Sequence, residues 1–316
     1  MKSAPWRSSP VAASNGRGTN PETTRRSDEG LLRLPTAEEV EAFWRDGVVC
    51  LRGVLDPACV LAMAPAVERL IRESLGTTMV DMSAMGEELA RAGETVLSDA
   101  TASGGRFVSG IDHWRVDADC ARFACRSAVP VIVARLLGAT RLNLWEDSIL
   151  VKEPGTPERT AWHQDLSYFH VSGEQVCTTW IPLDLADAET GAMRFARGSH
   201  RWADLYRPNM FVSNMPMVGT VGEQVPDIDA MAAAGAVELL QFALGPGDMT
   251  VHHARTLHAA GGNRSRERRR RAISLRYCGD DARYHFRPGA PRKPHHDFVQ
   301  EGDALGGPDC PEVWRA

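Results

Sequence analysis

From Leu31 to Gly138 the apolar residues of this chain recur at three- and four-residue spacing, the period of a helix with one buried face. Thr36 and Glu39 make a capping-box pair ahead of Val40, Phe43 and Trp44, and Gly47 stands where a helix stops, which predicts a helix over 36–46. Val48 to Leu51 reads as a short strand. Asp56-Pro57 opens a second helix with Val60, Met63, Val67, Leu70 and Ile71 on one face, and Pro65 is placed to kink or split it. A third helix is predicted from about Asp119 to Leu137, interrupted by Pro130 and stopped by Gly138.

Beyond Gly138 the rhythm shortens. Runs rich in Val, Ile, Leu, Thr and aromatic residues predict strands at 141–152, 160–164, 176–183, 192–195, 237–243, 249–252 and 270–278. Turn signals such as Pro154-Gly155, Glu189-Thr190-Gly191 and Gly245-Pro246-Gly247-Asp248 separate them. Helices followed by many short strands predict a mainly β fold with a helical N-terminal layer, a double-stranded β-helix or cupin-like jelly roll. The expected organisation is one domain over 31–316, with the helical layer at 31–138, the jelly-roll core at 139–284 and a tail at 285–316. The Pro-, Gly- and His-rich stretch 288–311 reads as a long surface segment.

Composition narrows the function classes. The chain has 316 residues, 43% of them hydrophobic, enough to bury a substantial core. A net charge of −5 gives no overall pull toward nucleic acid or an anionic membrane. No apolar run reaches the roughly 18 residues that would span a bilayer. Residues 1–30 are rich in Ser, Arg, Asn, Gly and Pro and lack an apolar core, so they read as a disordered leader rather than a secretory signal. The 7 cysteines are scattered without a CxxC pair, which reads as reduced thiols of a cytoplasmic protein and not as a structural zinc site.

The chemistry concentrates at Trp162-His163-Gln164-Asp165. Residues i and i+2 of a strand project to one face, so His163 and Asp165 can point together into a barrel mouth. Two histidines and one carboxylate on one face, with open positions beside them, is the donor set of non-haem Fe(II) oxygenases. A His-x-Asp pair alone is common: singly, His163 reads as a satisfied core histidine and Asp165 as a turn residue. Further along, Gly245-Pro246-Gly247-Asp248 leads into a strand, then Thr256 to Asn263 with His258, then a basic segment ending in Arg270-Arg271-Ala272-Ile273-Ser274.

Taken together, these stretches resemble the phytanoyl-CoA dioxygenase family of Fe(II)/2-oxoglutarate oxygenases. Val151 to Gly155, Trp180 to Asp184, Gly191-Ala192-Met193, Gly198-Ser199-His200 and the opening at 36–49 add to the match, which covers roughly Leu31 to Tyr284. The resemblance implies that His163, Asp165 and His258 hold Fe(II). It implies that Arg270 pairs with the distal carboxylate of 2-oxoglutarate, that Lys152 gives that cosubstrate a second contact, and that O2 is the oxidant. A guanidinium suits the carboxylate because it holds it by two parallel hydrogen bonds. Strand alternation puts Arg270, Ala272 and Ser274 on one face and favours Arg270. The preceding loop is one residue longer than the family's usual pattern, so Arg268 and Arg271 stay open. The hydroxyl residue that the family often carries two places after the third ligand is here Ala260.

By the same resemblance the chain is a hydroxylase-type dioxygenase that oxidises a C–H of a small molecule, releasing succinate and CO2. A carboxylate at position 165 favours hydroxylation or a related oxidation over halogenation, for which related enzymes carry a small residue there. No acyl-CoA motif is evident, and a natural product of secondary metabolism or an amino-acid-like compound is the expected substrate. The alternatives are an oxygenase acting on an acyl-CoA and a catalytically silent jelly-roll binding protein. Arg106, Asp112, Trp114, Tyr168, His170 and Trp180 are candidates for the substrate pocket. His252 and His253 read as ordinary buried histidines or as supports of the site, and His200 as a loop anchor. Arg264 to Arg271 holds six arginines and one glutamate; it reads as a solvated loop, with no nucleic-acid or membrane partner expected.

Overall fold

A computed structural model describes residues 29–316, so nearly all of the expected leader lies outside the described residues. The first helix, α1 (Ala37–Asp46), is capped as its sequence predicts: Thr36 accepts from the Glu39 amide and the Glu39 carboxylate returns to the Thr36 amide. Gly47 follows in the left-handed region at φ 80°, the conformation that ends a helix without a Cβ clash. Both proline-containing helices are split rather than kinked. The second becomes α2 (Pro57–Leu61) and α3 (Ala64–Glu73), with Pro65 in the first turn of α3. After α4 (Met82–Arg91), the third becomes α5 (Ala118–Arg126) and α6 (Val129–Leu137), with Pro130 again in a first turn, where its missing N–H costs nothing.

The strands are β1 (Val48–Leu51), β2 (Met79–Asp81), β3 (Phe107–Ile111), β4 (Arg141–Lys152), β5 (Thr160–His163), β6 (Val171–Ser172) and β7 (Val176–Pro182). They continue with β8 (Met193–Ala196), β9 (Leu239–Gln241), β10 (Met249–His253), β11 (His258–Ala260), β12 (Arg270–Cys278), β13 (Arg283–Tyr284) and β14 (Glu312–Arg315). A large antiparallel sheet runs β1-β10-β7-β12-β4-β3-β2, with β14 also paired to β4. A smaller one runs β5-β11-β8-β9. The two sheets make the jelly roll that the alternation of the chain predicts. β2 and β3 were not anticipated: they lie inside the stretch expected to be the helical layer, where Val48–Leu51 alone was read as a strand, and they extend the large sheet.

Alternation assigns the two faces of the large sheet. Val49, Leu51, Val108, Ile149, Val151, Ile181, Val251, Ile273 and Leu275 share one apolar core with Phe43, Val67, Phe123, Ile132 and Val133 of the helices. The other face carries Ser148, Leu150, Thr178, Trp180, His252, Arg270, Ser274 and Arg276 into the barrel. One irregularity matters for function. The ladder between β12 and β4 pairs Arg276 with Glu146 and then Tyr277 with Leu144, so Trp145 is an inserted residue. The bulge turns Trp145 away from the helices and into a second cluster with Leu166, Phe169, Val171 and Tyr284.

The expected surface segment 288–311 is exposed over much of its length, Phe298 by 88%, but not throughout. β14 joins the large sheet, Cys310 is buried with its carbonyl accepting from Asn143, and Lys293, His295 and His296 fold back over the barrel. Residues 286–297 thus form a strap across one end of the jelly roll. Its Gly289 meets Gly219 of the 209–224 loop backbone to backbone: a Cβ built on Gly289 would lie 2.3 Å from the Gly219 carbonyl carbon.

Candidate metal centre and adjoining cavities

His163 ends β5 and His258 begins β11, and the two stand directly opposite each other across that ladder. Their ring centroids are 4.1 Å apart. Gln164 is still extended, but the chain then turns, and Asp165 opens a short 3-10 turn (Asp165–Tyr168). The same-face relation of His163 and Asp165 therefore comes from an extended step at the strand end, not from a continuing strand. His163 Nε2 lies 3.5 Å and His258 Nε2 3.6 Å from Asp165 Oδ1. All three residues are buried, with one donor atom each inside a 4.8 Å cluster.

The rest of each side chain fixes its protonation. His163 Nδ1 is 2.8 Å from the Ala161 carbonyl and His258 Nδ1 is 2.9 Å from the Thr256 carbonyl. Each Nδ1 therefore carries the proton and each Nε2 keeps a lone pair toward Asp165. Burial, with the neighbouring His163 and His252, pushes the His258 pKa well down. Burial alone would raise that of Asp165, but His258, His163 and His252 outweigh it and hold the carboxyl well below its ordinary range. Thr178, on the large sheet, donates to Asp165 Oδ2 at 2.5 Å, and His252 Nε2 lies 3.4 Å from the same oxygen. Two imidazoles anchored through Nδ1 and a carboxylate tied down from behind form a donor set suited to a divalent iron-type cation.

The barrel alternation separates the arginines of this run by direction. Arg268 pairs with Asp187 and Glu189, Arg269 with Glu68 and Glu153, and Arg271 with Asp184 and Glu68. Arg270 alone of this run points inward: it is 2% exposed, its Nε has no acceptor, and its guanidinium lies 5.5 Å from the Trp180 ring centroid. Burial pushes its pKa down to about 10, against a weak opposing pull from Asp184. A buried guanidinium without a hydrogen-bonded acid is costly unless an anion completes it. It lines one cavity with Thr160, Trp180 and all three residues of the triad, so the space between Arg270 and the triad fits a dicarboxylate. Thr160 faces Ala260 across the ladder and brings to this cavity the hydroxyl that position 260 lacks.

Lys152 is next to Arg270 in the β4–β12 register, but its ammonium donates to the Glu158 and Gly261 carbonyls at 2.7 and 2.6 Å. It braces the strand ends around the cavity and does not line it. A second, larger cavity opens on the other side of the triad, with about 990 Å³ of empty space partly continuous with solvent. Of the expected substrate-pocket residues, Asp112 and Tyr168 line it. Trp180 lines the Arg270 cavity instead. Arg106 is half-exposed near Asp81, Trp114 packs on the helical side under Arg115, and His170 is buried edge-on to His296, so none of the three lines either cavity. Sequence reading missed Phe211, Arg276 and Lys293 of this wall. Phe211 could not be found from its neighbours: it meets the His163 ring edge-on at 5.3 Å from a loop with no periodicity.

The family profile of phytanoyl-CoA dioxygenase (PhyH) matches residues 43–272, which include the triad and Arg270. The chain belongs to the phytanoyl-CoA dioxygenase family. The probable alpha-ketoglutarate-dependent hypophosphite dioxygenase of Stutzerimonas stutzeri is 30% identical to this family member over 161 residues, 50% of this chain and 52% of that protein. The chain thus spans about half the length of that relative. Among solved structures, the non-haem alpha ketoglutarate dependent epimerase SnoN from nogalamycin biosynthesis is similar at 25% identity and a TM-score of 0.62, over 88% of this chain and 96% of that one. EctD from S. alaskensis, solved with 2-oxoglutarate and 5-hydroxyectoine, shares the fold at 16% identity and a TM-score of 0.62, over 91% and 95% of the two chains. Much of the 286–297 strap's interest is that it lies beyond the matched residues.

Proposed function

We propose that this chain is a mononuclear Fe(II)- and 2-oxoglutarate-dependent dioxygenase that hydroxylates an unactivated C–H of a small molecule, with release of succinate and CO2. The observation that carries the reading is the pairing of a buried His-Asp-His triad with a buried guanidinium lacking a counter-ion in the same cavity. His163, Asp165 and His258 would hold the iron, and Arg270 would hold the distal carboxylate of 2-oxoglutarate. Together those two groups, when bound, supply oxidising power from O2 at the cost of decarboxylating the cosubstrate.

The chain's own residues do the rest. Thr178 keeps the Asp165 carboxylate in place, with His252 Nε2 packed 3.4 Å from the same oxygen, and the two backbone-bonded Nδ1 atoms keep both imidazoles in the ligating tautomer. Phe211 and Leu150 border both cavities and shield the centre from water, which strengthens every electrostatic contact inside. The arginine run is engaged with surface acids, which supports a small-molecule substrate over a nucleic acid. The epimerase likeness leaves the fate of the substrate to product analysis.

Anaerobic visible absorption tests the reading. A weak charge-transfer band that needs both Fe(II) and 2-oxoglutarate, and is absent in His163→Ala, is expected. No band in the wild type, or a band that survives His163→Ala, sinks the assignment and brings the silent-barrel alternative forward.

A further inference from the structure

The cavity on the far side of the triad has one charged pole, and that pole bears on the substrate class; the inference rests on the function proposed above. Lys293 of the strap places Nζ 2.8 Å from Asp112 Oδ1 and 2.9 Å from Glu146 Oε2. Arg276 donates from Nη1 to Ser148 Oγ at 2.6 Å and stands 3.9 Å from Glu146 Oε1. Arg115, 3.7 Å from Asp112, is committed to Asp309 at 2.7 Å. Arg292 at the rim is committed to Asp297 at 3.1 Å.

The hydrogen-bond inventory of this pole is unbalanced. An ammonium has three donors and a guanidinium five, with no acceptor on either. Lys293 spends two of its donors on the two carboxylates, and the Arg276 Nε has no acceptor at all. The acceptors of the pole are Asp112, Glu146 and the hydroxyl of Ser148, and all three already face these cations. Burial raises the Glu146 pKa against the pull of Lys293 and Arg276. The two cations and two carboxylates balance in charge, and the spare capacity lies in hydrogen-bond donors, on Lys293 and on Arg276 Nε. Ile111, Trp145, Phe169, Phe211 and Met217 give the rest of the wall an apolar, largely aromatic stretch, with Ser109, Tyr168, Asn209 and His296 as polar members beside it.

Backbone strain marks the same wall. Among the described residues, Asp112 (φ 62°) and Phe211 (φ 64°) are the non-glycine residues with positive φ, and both line this cavity. Such conformations are unfavourable and persist where the surroundings over-determine them, as they do at ligand clamps. Here one holds the carboxylate that locks Lys293, and the other holds the ring between the cavity and His163.

We propose that this cavity takes an amphipathic monoanion, a ring-bearing apolar body with a carboxylate or comparable acceptor group, and that Lys293 is the specificity-determining residue that receives that group with Arg276. Three probes with one ring test it: indole-3-acetate, indole-3-acetamide and tryptamine, titrated calorimetrically into the full chain. The titrations are run anaerobically with Fe(II) and saturating 2-oxoglutarate, which occupies Arg270, and repeated without either. The acetate is expected to bind at least about tenfold more tightly than the acetamide, as one charge-assisted contact of about 1.5–3 kcal/mol requires, with tryptamine weakest. Lys293→Met should abolish that preference without weakening the acetamide.

Because Lys293→Met strands two carboxylates and can fail to fold, Asp112→Asn is the second variant. It keeps the shape, frees a donor on Lys293, and should tighten acetate binding while leaving acetamide unchanged. Equal binding of the three probes, a preference for tryptamine, or no binding of the acetate overturns the proposal. So does a preference that disappears in Arg270→Met, which would place the anion in the other cavity. A chain that forms no iron and 2-oxoglutarate band yet keeps the charge preference defeats the proposed chemistry and supports this assignment.

Discussion

Arg270→Met separates two roles of one side chain because they have opposite signs. In the absence of an anion, Arg270 is a buried cation with no hydrogen-bonded acid, its nearest carboxylate, Asp184, being held by Arg271. Replacing such a group by an apolar one of similar length removes a desolvation cost and exposes nothing. Substitutions of buried ionic groups by packed apolar ones are neutral or stabilising by about 1–4 kcal/mol. With roughly 2–4 °C of Tm per kcal/mol for a domain somewhat smaller than this one, the expected change is a Tm that holds or rises by a few degrees. The same substitution deletes a bidentate contact to the cosubstrate. Two charge-assisted hydrogen bonds of about 1.5–3 kcal/mol each predict 2-oxoglutarate binding weaker by at least about a hundredfold.

Thermal melts with zinc or anaerobic Fe(II), with and without 2-oxoglutarate, read both effects. Wild type should gain several degrees from the cosubstrate, since a ligand at a hundred times its Kd contributes about 2.7 kcal/mol. Arg270→Met should start at or above the wild-type Tm and gain nothing. A variant that melts lower without ligand and still gains the full cosubstrate shift would refute the placement of Arg270 in an uncompensated, carboxylate-seeking position.

Further expectations follow from individual contacts. Thr178→Val removes the hydroxyl that donates to Asp165 Oδ2 and should weaken Fe(II) binding about ten- to a hundredfold, read from the metal dependence of the charge-transfer band; an unchanged affinity would mean the hydroxyl does not hold the carboxylate. Gly289→Ala puts a Cβ 2.3 Å from the Gly219 carbonyl carbon at a φ of 73°, so the strap should become a site of rapid proteolysis, and an unchanged cleavage pattern would show that it yields at no cost. Burial pushes His253 down to about 3, below the ordinary histidine value, so between pH 6.5 and 3 the unfolded chain binds the extra proton. Stability should therefore fall as pH drops below 6.5, by about 1.4 kcal/mol per pH unit for that proton, and His253→Phe should flatten the slope seen in urea titrations; an identical slope would remove His253 as its source.

The fold was legible where a local pattern and its tertiary use coincide. The capping box at Thr36, the strand at 141–152 and the strand at 270–278 have the bounds that their residues predict. Arg270 was legible for the same reason, because the alternation along β12 is uninterrupted as far as Arg276. The reading failed where long-range pairing decided the outcome. β2 and β3 are short, β3 finding its partner in the distant β4 and β2 pairing with β3, so nothing near them in sequence marks them as sheet. Trp145 faces the second cavity because a bulge opposite Arg276 inverts the alternation there. Lys293 looked like part of a solvated Pro- and Gly-rich tail, since its partners Asp112 and Glu146 belong to the other half of the chain. His252 carried no signal of its own; its place beside Asp165 comes from the register of β10 on β7, which sets it opposite Thr178.

The strap also separates two events in the birth of the protein. The ribosome releases β12, and with it the last residue facing the triad, before it releases residues 286–297. The cavity between Arg270 and the triad can therefore close on a nascent chain whose substrate chamber still lacks a wall. Completing that wall requires Lys293 to find Asp112 across 181 residues and Asn143 to find Cys310 across 167, contacts of the kind that form late. His163, Asp165 and His258 make no hydrogen bond to the strap. Mutations in the strap can thus reshape the second cavity while the triad goes on folding as before, which under the proposed function gives variation in substrate range a route that leaves the chemistry untouched.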